Sequence, residues 1–366
     1  MKPIDLSKLQ TYPLSERKSM ASLEETLIDP ASTPPNLSPA NQEHITRCAA
    51  DIRSARAAGA SVMYIYGAHL IKNGAHLLLD ELMNGDWITH LATNGAGVIH
   101  DWEWAFHGQS TECVRSNVAI GTFGTWEETG HYLHLSLLAG AVNGEGFGQS
   151  VGCMVNEEGL TLPSKAELES QLRDEPAHPL APARAELLQA MTRHDLKDGY
   201  HETPHPWKSS CVLASAIKHN VPLTVHPGIG YDIISNHPMF NGAALGRAAQ
   251  LDFSTFGGSV EGLDNGVVLS VGSAIMGPQV FEKSISCVNN LRLQDDRPVV
   301  KDHSFYVVDI QEGGNWDWSQ GEPPKDNPAY YLRFCKSYDR MGGSMHYAQC
   351  DNIAFTHHLL NELKSL

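Results

Sequence analysis

Short apolar runs alternate with segments of helical spacing along most of the chain beyond residue 60. The runs at 61–66, 88–93 and 266–272 are rich in branched and aromatic side chains, which predicts buried strands. Each run leads into a loop that contains glycine and then into a segment with helical spacing. This repeated order of strand, glycine loop and helix predicts an α/β fold with a parallel, doubly wound sheet.

The helix predicted at 125–141 has a start signal in its sequence, because Thr125 as N-cap and Glu128 three residues later form a capping box. Pro278 is predicted as the first residue of another helix, a position that tolerates proline. Further strands are predicted at 221–225 and 304–309, and further helices at 41–58, 75–83, 99–106, 210–219, 240–251, 278–289 and 351–363.

The chain is predicted to have an N-terminal arm and one domain. Residues 1–40 are polar and carry four prolines between positions 30 and 39, which predicts a poorly ordered lead-in. Residues 41–366 are predicted to form a single α/β domain. A charged helical stretch interrupted by prolines predicts a helical excursion from the sheet at about 160–205.

Composition narrows the class of protein. The formal net charge of −16, without a Lys/Arg cluster to offset it, argues against nucleic acid as a partner and fits a cationic small-molecule substrate. No apolar run is long enough to span a bilayer, and the N-terminus lacks a signal-peptide core, which argues against a membrane partner. The seven cysteines include no CxxC pair, which predicts reduced thiols and a cytoplasmic location.

Three glycine-containing loops at 67–74, 94–101 and 272–277 follow predicted strands, although none contains a GxGxxG fingerprint. Such loops either hold a pyrophosphate at helix N-termini or are tight turns that need glycine. The loop from His226 to Asp232 either brings its backbone and the Asp232 carboxylate close to a ligand or is a tight turn that needs glycine. His100 and Asp101 lie near the start of a predicted helix, beside a glycine loop. They either form a functional site, or Asp101 is there only because its carboxylate interacts favourably with the helix dipole.

The nineteen histidines raise the question of a metal site. His131 and His134 share a helix face, but the sequence contains no HExxH motif and no zinc-finger spacing. No metal is therefore predicted, and most histidines are expected at the surface or hydrogen-bonded in the core.

The order of these segments over roughly residues 61–363 resembles the deoxyhypusine synthase family. Residues 68–74 stand where the family has Ser-Asn-Leu-Ile-Ser-Ser-Gly, and residues 94–101 where it has Thr-Ala-Gly-Gly-Val-Glu-Glu-Asp. Residues 271–273 resemble its Gly-Gly-Gly loop, residues 306–309 its Tyr-Ile-Asn-Thr strand, and Asp232 the final, polyamine-binding Asp of Asp-Gly-Ser-x-Gly-Asp.

The resemblance implies a Rossmann-like, mostly parallel sheet with helices on both faces, NAD as cofactor and assembly as a homotetramer. By position in the family motifs, it implies that NAD is bound by Ala68, His69, Asn73, Gly74, Asn94, Gly95, Gly97, Gly272, Ser273 and Asp309.

The sequence departs from the family where the catalytic lysine should be. The run Asp-Glu-Ala-Val-Ser-Trp-Gly-Lys falls on residues 326–333, so that Arg333 replaces the lysine. Arginine stays protonated and cannot form an imine. Lys336 lies three residues farther on, and the family's Lys-His-His is replaced by residues 276–278. True deoxyhypusine synthesis is therefore not expected.

The leading hypothesis is an NAD-binding enzyme that acts on a small amine-bearing metabolite by dehydrogenation or transfer. Asp232 would bind a cationic group, His100 or Asp101 would act as acid and base, and Arg333 would bind an anionic group. One alternative is a catalytically inactive paralogue with a regulatory or structural role. Another is a cofactor-free hydrolase or lyase that uses histidines such as His100 or His226.

Overall fold

Ten strands are present among residues 2–365, the residues that the structure, a computed structural model, describes. The end residues of the predicted arm and domain, Met1 and Leu366, lie outside the described residues. The strands are β1 (Ala21–Ser22), β2 (Val62–Tyr66), β3 (His90–Thr93), β4 (Gln109–Ser110), β5 (Gly159–Leu162), β6 (Gly199–Glu202), β7 (Leu223–Val225), β8 (Val267–Val271), β9 (Ser304–Asp309) and β10 (Ser344–Gln349).

Fifteen α-helices connect these strands within the same described residues. None of them combines the length and the apolar character that crossing a membrane requires. The helices are α1 (Leu23–Thr26), α2 (Pro39–Ala57), α3 (Ala68–Lys72), α4 (His76–Asn84), α5 (Gly95–His107), α6 (Val114–Ile120), α7 (Glu127–Asn143), α8 (Phe147–Glu157), α9 (Lys165–Asp174), α10 (Ala181–Arg193), α11 (Val212–Lys218), α12 (Gly242–Glu261), α13 (Met276–Gln294), α14 (Arg333–Asp339) and α15 (Asn352–Lys364).

The chain divides into two compact units. Each unit is assembled from segments that are distant in sequence. Unit 1 contains residues 2–26, Val98–Lys218 and Pro227–Asp252, and unit 2 contains Leu27–Gly97, His219–His226 and residues 253–365.

Unit 2 is built on a six-stranded sheet in the order β10-β9-β8-β2-β3-β7, with every neighbouring pair parallel. If these six strands are numbered along the chain, the order becomes 6-5-4-1-2-3. This is the strand order of the Rossmann dinucleotide-binding fold. The prediction of a Rossmann-like, doubly wound, mostly parallel sheet is confirmed.

Helices cover both faces of this sheet, because successive side chains of a strand point to opposite faces. Tyr64 of β2 donates or accepts a hydrogen bond with Thr356 of α15 at 2.7 Å on one face. Met63 and Ile65 lie in the apolar cluster on the other face, which also contains Phe281 of α13. All five residues of β2 and of β8 are buried, as expected for central strands that are covered on both sides.

Unit 1 is mostly helical. Its apolar cluster joins Leu135 and Leu138 of α7 to Leu187 and Met191 of α10. The segment predicted as a helical excursion at about 160–205 contains α9 and α10, which are flanked by the antiparallel pair β5 and β6.

Two predictions of helix starts were wrong. Helix α7 begins at Glu127 with Trp126 as N-cap, and the carboxylate of Glu128 accepts a hydrogen bond from the backbone N–H of Leu14 at 2.6 Å instead of closing a capping box. The Thr125 hydroxyl donates to the carbonyl of Thr122. Helix α13 begins at Met276, which makes Pro278 its third residue.

Replacing Gly67 with alanine tests how closely two turns of unit 2 approach each other. The backbone φ of Gly67 is −92°, which any residue can adopt, but an added Cβ would lie against the carbonyl oxygen of Gly272. We expect Gly67→Ala to lower the free energy of unfolding by about 1–3 kcal/mol, because the backbone must shift to make room. Urea denaturation monitored by circular dichroism measures this difference.

Gly258→Ala is the matched control in unit 2. Gly258 lies inside α12, and a Cβ there would meet none of the described atoms within 4 Å. Alanine should therefore leave the stability unchanged or raise it by about 0.5–1 kcal/mol. Equal stability of the two variants would contradict the tight approach of Gly67 to Gly272.

Candidate functional site

The carboxyl ends of β2 and β8 mark the place where the strand order of the sheet reverses. The chain proceeds from β2 to β3 on one side and from β8 to β9 on the other. Open α/β sheets bind ligands in the crevice at this switch point. The fold alone therefore selects the turns after these two strands as the candidate site.

The two turns touch each other. The backbone N–H of Gly67 donates to the carbonyl of Val271 at 3.3 Å. Gly272 has a φ of +62°, and a Cβ on it would collide with the amide side chain of Asn352 at the start of α15. A Cβ on Gly67 would lie against the Gly272 carbonyl, so glycine at 67 allows the two turns to approach, and glycine at 272 allows the positive φ beside Asn352.

Helices begin directly after these turns. Helix α3 begins at Ala68, immediately after Gly67, and α13 begins at Met276. The Ser273 hydroxyl accepts the backbone N–H of Gly277 at 3.1 Å. The first N–H groups of a helix have no partner within that helix, and together with the helix dipole they favour a bound anion such as a pyrophosphate.

Apolar and acidic groups complete this edge of the sheet. Ile275, just before α13, is 74% exposed, and Ile310, just after β9, is 72% exposed. Asp309 ends β9 half-buried, and its carboxylate accepts the N–H of Gln311 at 3.0 Å. Exposed apolar side chains beside a carboxylate suit a ligand with both a flat ring and hydroxyl groups.

Most of the predicted cofactor residues lie at this edge. His69 is an exposed residue of the first turn of α3, whereas Asn73 and Gly74 follow that helix about 8 Å farther along its axis. The carbonyl of Gly74 accepts the N–H of Ile28. The predicted cofactor residues that lie at the carboxyl ends of strands β2, β3, β8 and β9 are Ala68, Asn94, Gly95, Gly97, Gly272, Ser273 and Asp309.

A chain of hydrogen-bonded polar side chains runs through unit 2. Ser259 lies 2.8 Å from Nδ1 of His90, and Nε2 of His90 lies 2.8 Å from the hydroxyl of Thr224. That hydroxyl is 3.2 Å from Nε2 of His226. Every member can both donate and accept, so the hydrogens along the chain can point in either direction.

Burial keeps both histidines of this chain neutral. Desolvation lowers the pKa of His90 to about 3 and that of His226 to about 4. The edge of the Phe256 ring packs against both imidazoles, at 5.4 and 5.3 Å between centroids. The N–H of His226 donates to the carbonyl of Thr93, which places His226 at the carboxyl end of β3. The neutral imidazole can accept a proton at this edge, as a weaker base than an ordinary histidine because its pKa is about 4.

His226 is predicted from the sequence only as a residue of a cofactor-free reaction, and its hydrogen-bond partners are not predicted. The available signal was that polar residues, His90 and Thr224, stand inside strands that are otherwise apolar. Buried polar groups need hydrogen-bond partners, which local sequence does not name.

The carboxylate of Asp101 in unit 1 binds the start of a helix. Its carboxylate accepts the backbone N–H of Val212 at 2.9 Å and of Leu213 at 2.8 Å, which caps the start of α11. Burial raises the pKa of Asp101 to about 6, while these hydrogen bonds act in the opposite direction. Its proposed acid–base role stays a prediction.

His100 in unit 1 is held by a buried chain of polar groups. Its Nδ1 lies 2.7 Å from the hydroxyl of Ser110, which donates to Glu103 at 2.6 Å. Glu103 forms an ion pair with Arg17 at 2.6 Å, and both side chains are buried. This network fixes the orientation of the imidazole.

Asp232 is buried in unit 1. Its carboxylate accepts the N–H of Gly228 at 2.8 Å, which closes the glycine-rich loop on itself. This contact matches the turn reading of the loop, and the binding of a cationic group by Asp232 stays a prediction.

Arg333 is the exposed first residue of α14 in unit 2. The ammonium of Lys336 lies 3.3 Å from Glu322 and 3.7 Å from the centroid of the Tyr330 ring. These two contacts hold the Lys336 side chain in place on α14. Among residues 2–365, no three His, Cys, Asp or Glu side chains are grouped so that they could hold a metal ion.

His90→Gln tests whether the buried histidines destabilise the fold in acid. The folded-state pKa of His90, about 3, lies below the ordinary value near 6.5, so the unfolded chain binds more protons between these pH values. Stability should therefore fall as the pH drops below about 6.5, by about 1.4 kcal/mol per pH unit for each such histidine. Guanidinium unfolding of the variant between about pH 5 and 7 should show a shallower decline.

The control for this experiment is His69→Gln, because His69 is exposed. This variant should keep the full slope of the original protein. A His90→Gln variant whose stability declines as steeply as that of the His69→Gln variant would contradict a neutral, buried His90.

No protein-family model matches the sequence, and no curated protein matches it. Unliganded AgrE, known also in a ternary complex with ornithine and NAD+, covers 90% of this chain at 13% identity, with a TM-score of 0.46. ArgZ, a cyanobacterial arginine dihydrolase of the ornithine–ammonia cycle, covers 89% at 15% identity, with a TM-score of 0.39. The chain spans only 34% of AgrE and 33% of ArgZ. A conserved protein from Methanococcus maripaludis S2 described as LOR/SDH covers 92% at 16% identity, with 73% of its own length matched and a TM-score of 0.43.

Proposed function

We propose that unit 2 binds NAD at the carboxyl ends of β2 and β8 and that the protein is an enzyme acting on a small amine-bearing metabolite. The observation that carries the proposal is the Rossmann strand order with two glycine turns in contact at its switch point.

The residues at this edge fit the parts of a dinucleotide. The first turns of α3 and α13 would bind the pyrophosphate, Asp309 would accept hydrogen bonds from a ribose, and Ile275 and Ile310 would pack against a ring. Bound NAD would accept a hydride, which no protein side chain can do.

An amine-bearing substrate is favoured by the acidic character of the protein. The net charge is −16, and Asp309 places a carboxylate at the proposed site. Opposite charge raises the local concentration of a cationic metabolite. The family resemblance implies that a cationic group is bound by Asp232, which belongs to unit 1, and this stays a prediction.

The reaction we propose is dehydrogenation or transfer without an imine to a lysine of the enzyme. Arg333 stands in the place of the lysine and stays protonated. The Lys336 side chain lies three residues farther along and is engaged by Glu322 and Tyr330. Deoxyhypusine synthesis needs such an imine and is therefore not proposed.

Proton transfer to and from the substrate is assigned to His226. It is neutral, lies at the carboxyl end of β3, and is linked through Thr224 and His90 to the half-buried Ser259. The chain allows a proton to be replaced without opening the core. His100 and Asp101 stay predicted alternatives, and assembly as a cytoplasmic homotetramer stays a prediction.

A cofactor-free hydrolase or lyase is a second candidate, which the same histidine chain favours. One experiment distinguishes it from the NAD-dependent enzyme, because the activity of a cofactor-free enzyme would survive the removal of NAD. His226→Gln would abolish the activity in both cases.

Ile275→Glu tests NAD binding without disturbing the core. The side chain is exposed just before α13, where a carboxylate is compatible with the helix dipole but repels a pyrophosphate. Isothermal titration calorimetry should show NAD binding to the original protein and an affinity at least about tenfold lower for the variant.

Leu291→Glu is the matched control, since it adds the same charge to the same helix. Leu291 is 61% exposed and lies about 24 Å from position 275 along the axis of α13, beyond the reach of screened charge. Its NAD affinity should equal that of the original protein. Equal weakening by both variants, or no binding of NAD by the original protein, would contradict the proposed site.

NAD-dependent chemistry is tested separately with polyamines and basic amino acids. An enzyme of the proposed kind should raise the absorbance at about 340 nm as NAD is reduced. NAD binding without any such change is the result expected of an inactive, regulatory paralogue.

A further inference from the structure

A second cavity in unit 2 lies along the outer edge of the sheet, apart from the crevice at β2 and β8. It has a volume of about 440 Å³, within the range of small-molecule sites. Its wall is formed by α2, by residues that follow β9 and by strand β10. The residues that line it include His44, Arg47, Trp316, Trp318, His346 and Tyr347.

The edge of β10 presents backbone polar groups to this cavity. The N–H groups of Ser344 and Cys350 donate to the carbonyls of His303 and Asp309, on the side of β9. Because alternate residues of a strand point their backbone groups to opposite sides, those of Met345 and Tyr347 point away from β9. The carbonyl of Gln349 also points away from β9, where it accepts a hydrogen bond from the Asn41 amide at 3.0 Å.

Cationic and imidazole groups gather on one wall. Nη1 of Arg47 lies 3.5 Å from Nδ1 of His346. Because a guanidinium only donates, this Nδ1 accepts, and the proton of the neutral ring is assigned to Nε2. The His346 ring stacks on Tyr306 with centroids 4.9 Å apart, and Tyr306 donates to Asp51 at 2.6 Å. The imidazole is therefore held in place.

The carboxylates near this wall are already engaged. Glu43 pairs with Arg47 at 3.2 Å, and Asp317 accepts the N–H of Ser319 at 3.0 Å. Burial, followed by the charge of Arg47, lowers the pKa of both His44 and His346. An anion would satisfy the donors Arg47 and His346.

Aromatic groups form another wall. The indole N–H of Trp316 donates to the carbonyl of Gly321 at 2.8 Å, which fixes the ring of this half-buried residue. The indole N–H of Trp318 is buried and has no hydrogen-bond partner among the described residues. A buried donor left in this way is satisfied when a ligand brings an acceptor.

We propose that this cavity binds a nucleoside monophosphate. The base would form hydrogen bonds with the outward backbone groups of Met345 and Tyr347 and pack against Trp316. The phosphate would be bound by Arg47 and His346, since charge-assisted hydrogen bonds to phosphate are the strongest that such a wall offers. The site is separate from the proposed NAD crevice and does not depend on it.

Titration with AMP, followed by calorimetry and by tryptophan fluorescence, tests the site in the full chain. We expect saturable binding of one AMP, with adenosine and inorganic phosphate each at least about tenfold weaker. Arg47→Gln should weaken AMP binding at least about tenfold, since it removes the charge from a half-exposed side chain. Arg297→Gln, an arginine of the same unit that is half-exposed and paired with Glu261 at 2.8 Å, should leave the affinity unchanged.

A further comparison separates this site from the NAD crevice. AMP should bind the Ile275→Glu variant and the NAD-saturated protein as tightly as the original protein, and Arg47→Gln should not change the affinity for NAD. Absence of saturable AMP binding up to about 5 mM overturns the proposal. AMP binding that survives Arg47→Gln but is displaced by NAD also overturns it, because AMP then occupies the crevice.

Discussion

The contact between the turns at Gly67 and Gly272 is the constraint on which unit 2 depends. Strands β2 and β8 are neighbours in the sheet although about 200 residues separate them in the chain, and the strand order reverses between them. The turns can lie side by side because Gly67 carries no Cβ, and Gly272 adopts a positive φ beside Asn352 for the same reason. Helices α3 and α13 begin beside these turns, and this is the reason for proposing an anionic dinucleotide at this edge.

The polar groups inside unit 2 follow from the sheet. A six-stranded parallel sheet is covered on both faces, so any polar side chain within a strand must find a partner in the core. His90 and Thr224 meet this requirement by binding each other and by reaching Ser259 and His226. These side chains form an uncharged network that ends at the carboxyl edge of the sheet. Because its histidines are neutral in the folded state, it lowers the free energy of unfolding in acid. A group suited to moving a proton thus arises where a ligand is expected.

The central sheet was predictable because its strands are short, apolar and followed by glycine. The predicted strand at 304–309 matches β9 in both bounds. Strand β10, Ser344–Gln349, was not predicted, since an edge strand with polar and partly exposed residues lacks a continuous apolar run. The cavity beside it was therefore not predicted either. The capping box at Thr125 failed because Leu14, distant in sequence, takes the carboxylate of Glu128.

The candidate site was predictable in part. Motif order placed Ala68, Gly272 and Asp309 at strand ends, where the structure has them. Spacing along the chain could not reveal that Asn73 and Gly74 lie at the far end of a helix, or that Asp101 caps α11. The most direct test of the account is a crystal structure of the protein with NAD. The account predicts the pyrophosphate at the first turns of α3 and α13, beside Gly67 and Gly272. A dinucleotide bound away from these turns would contradict it.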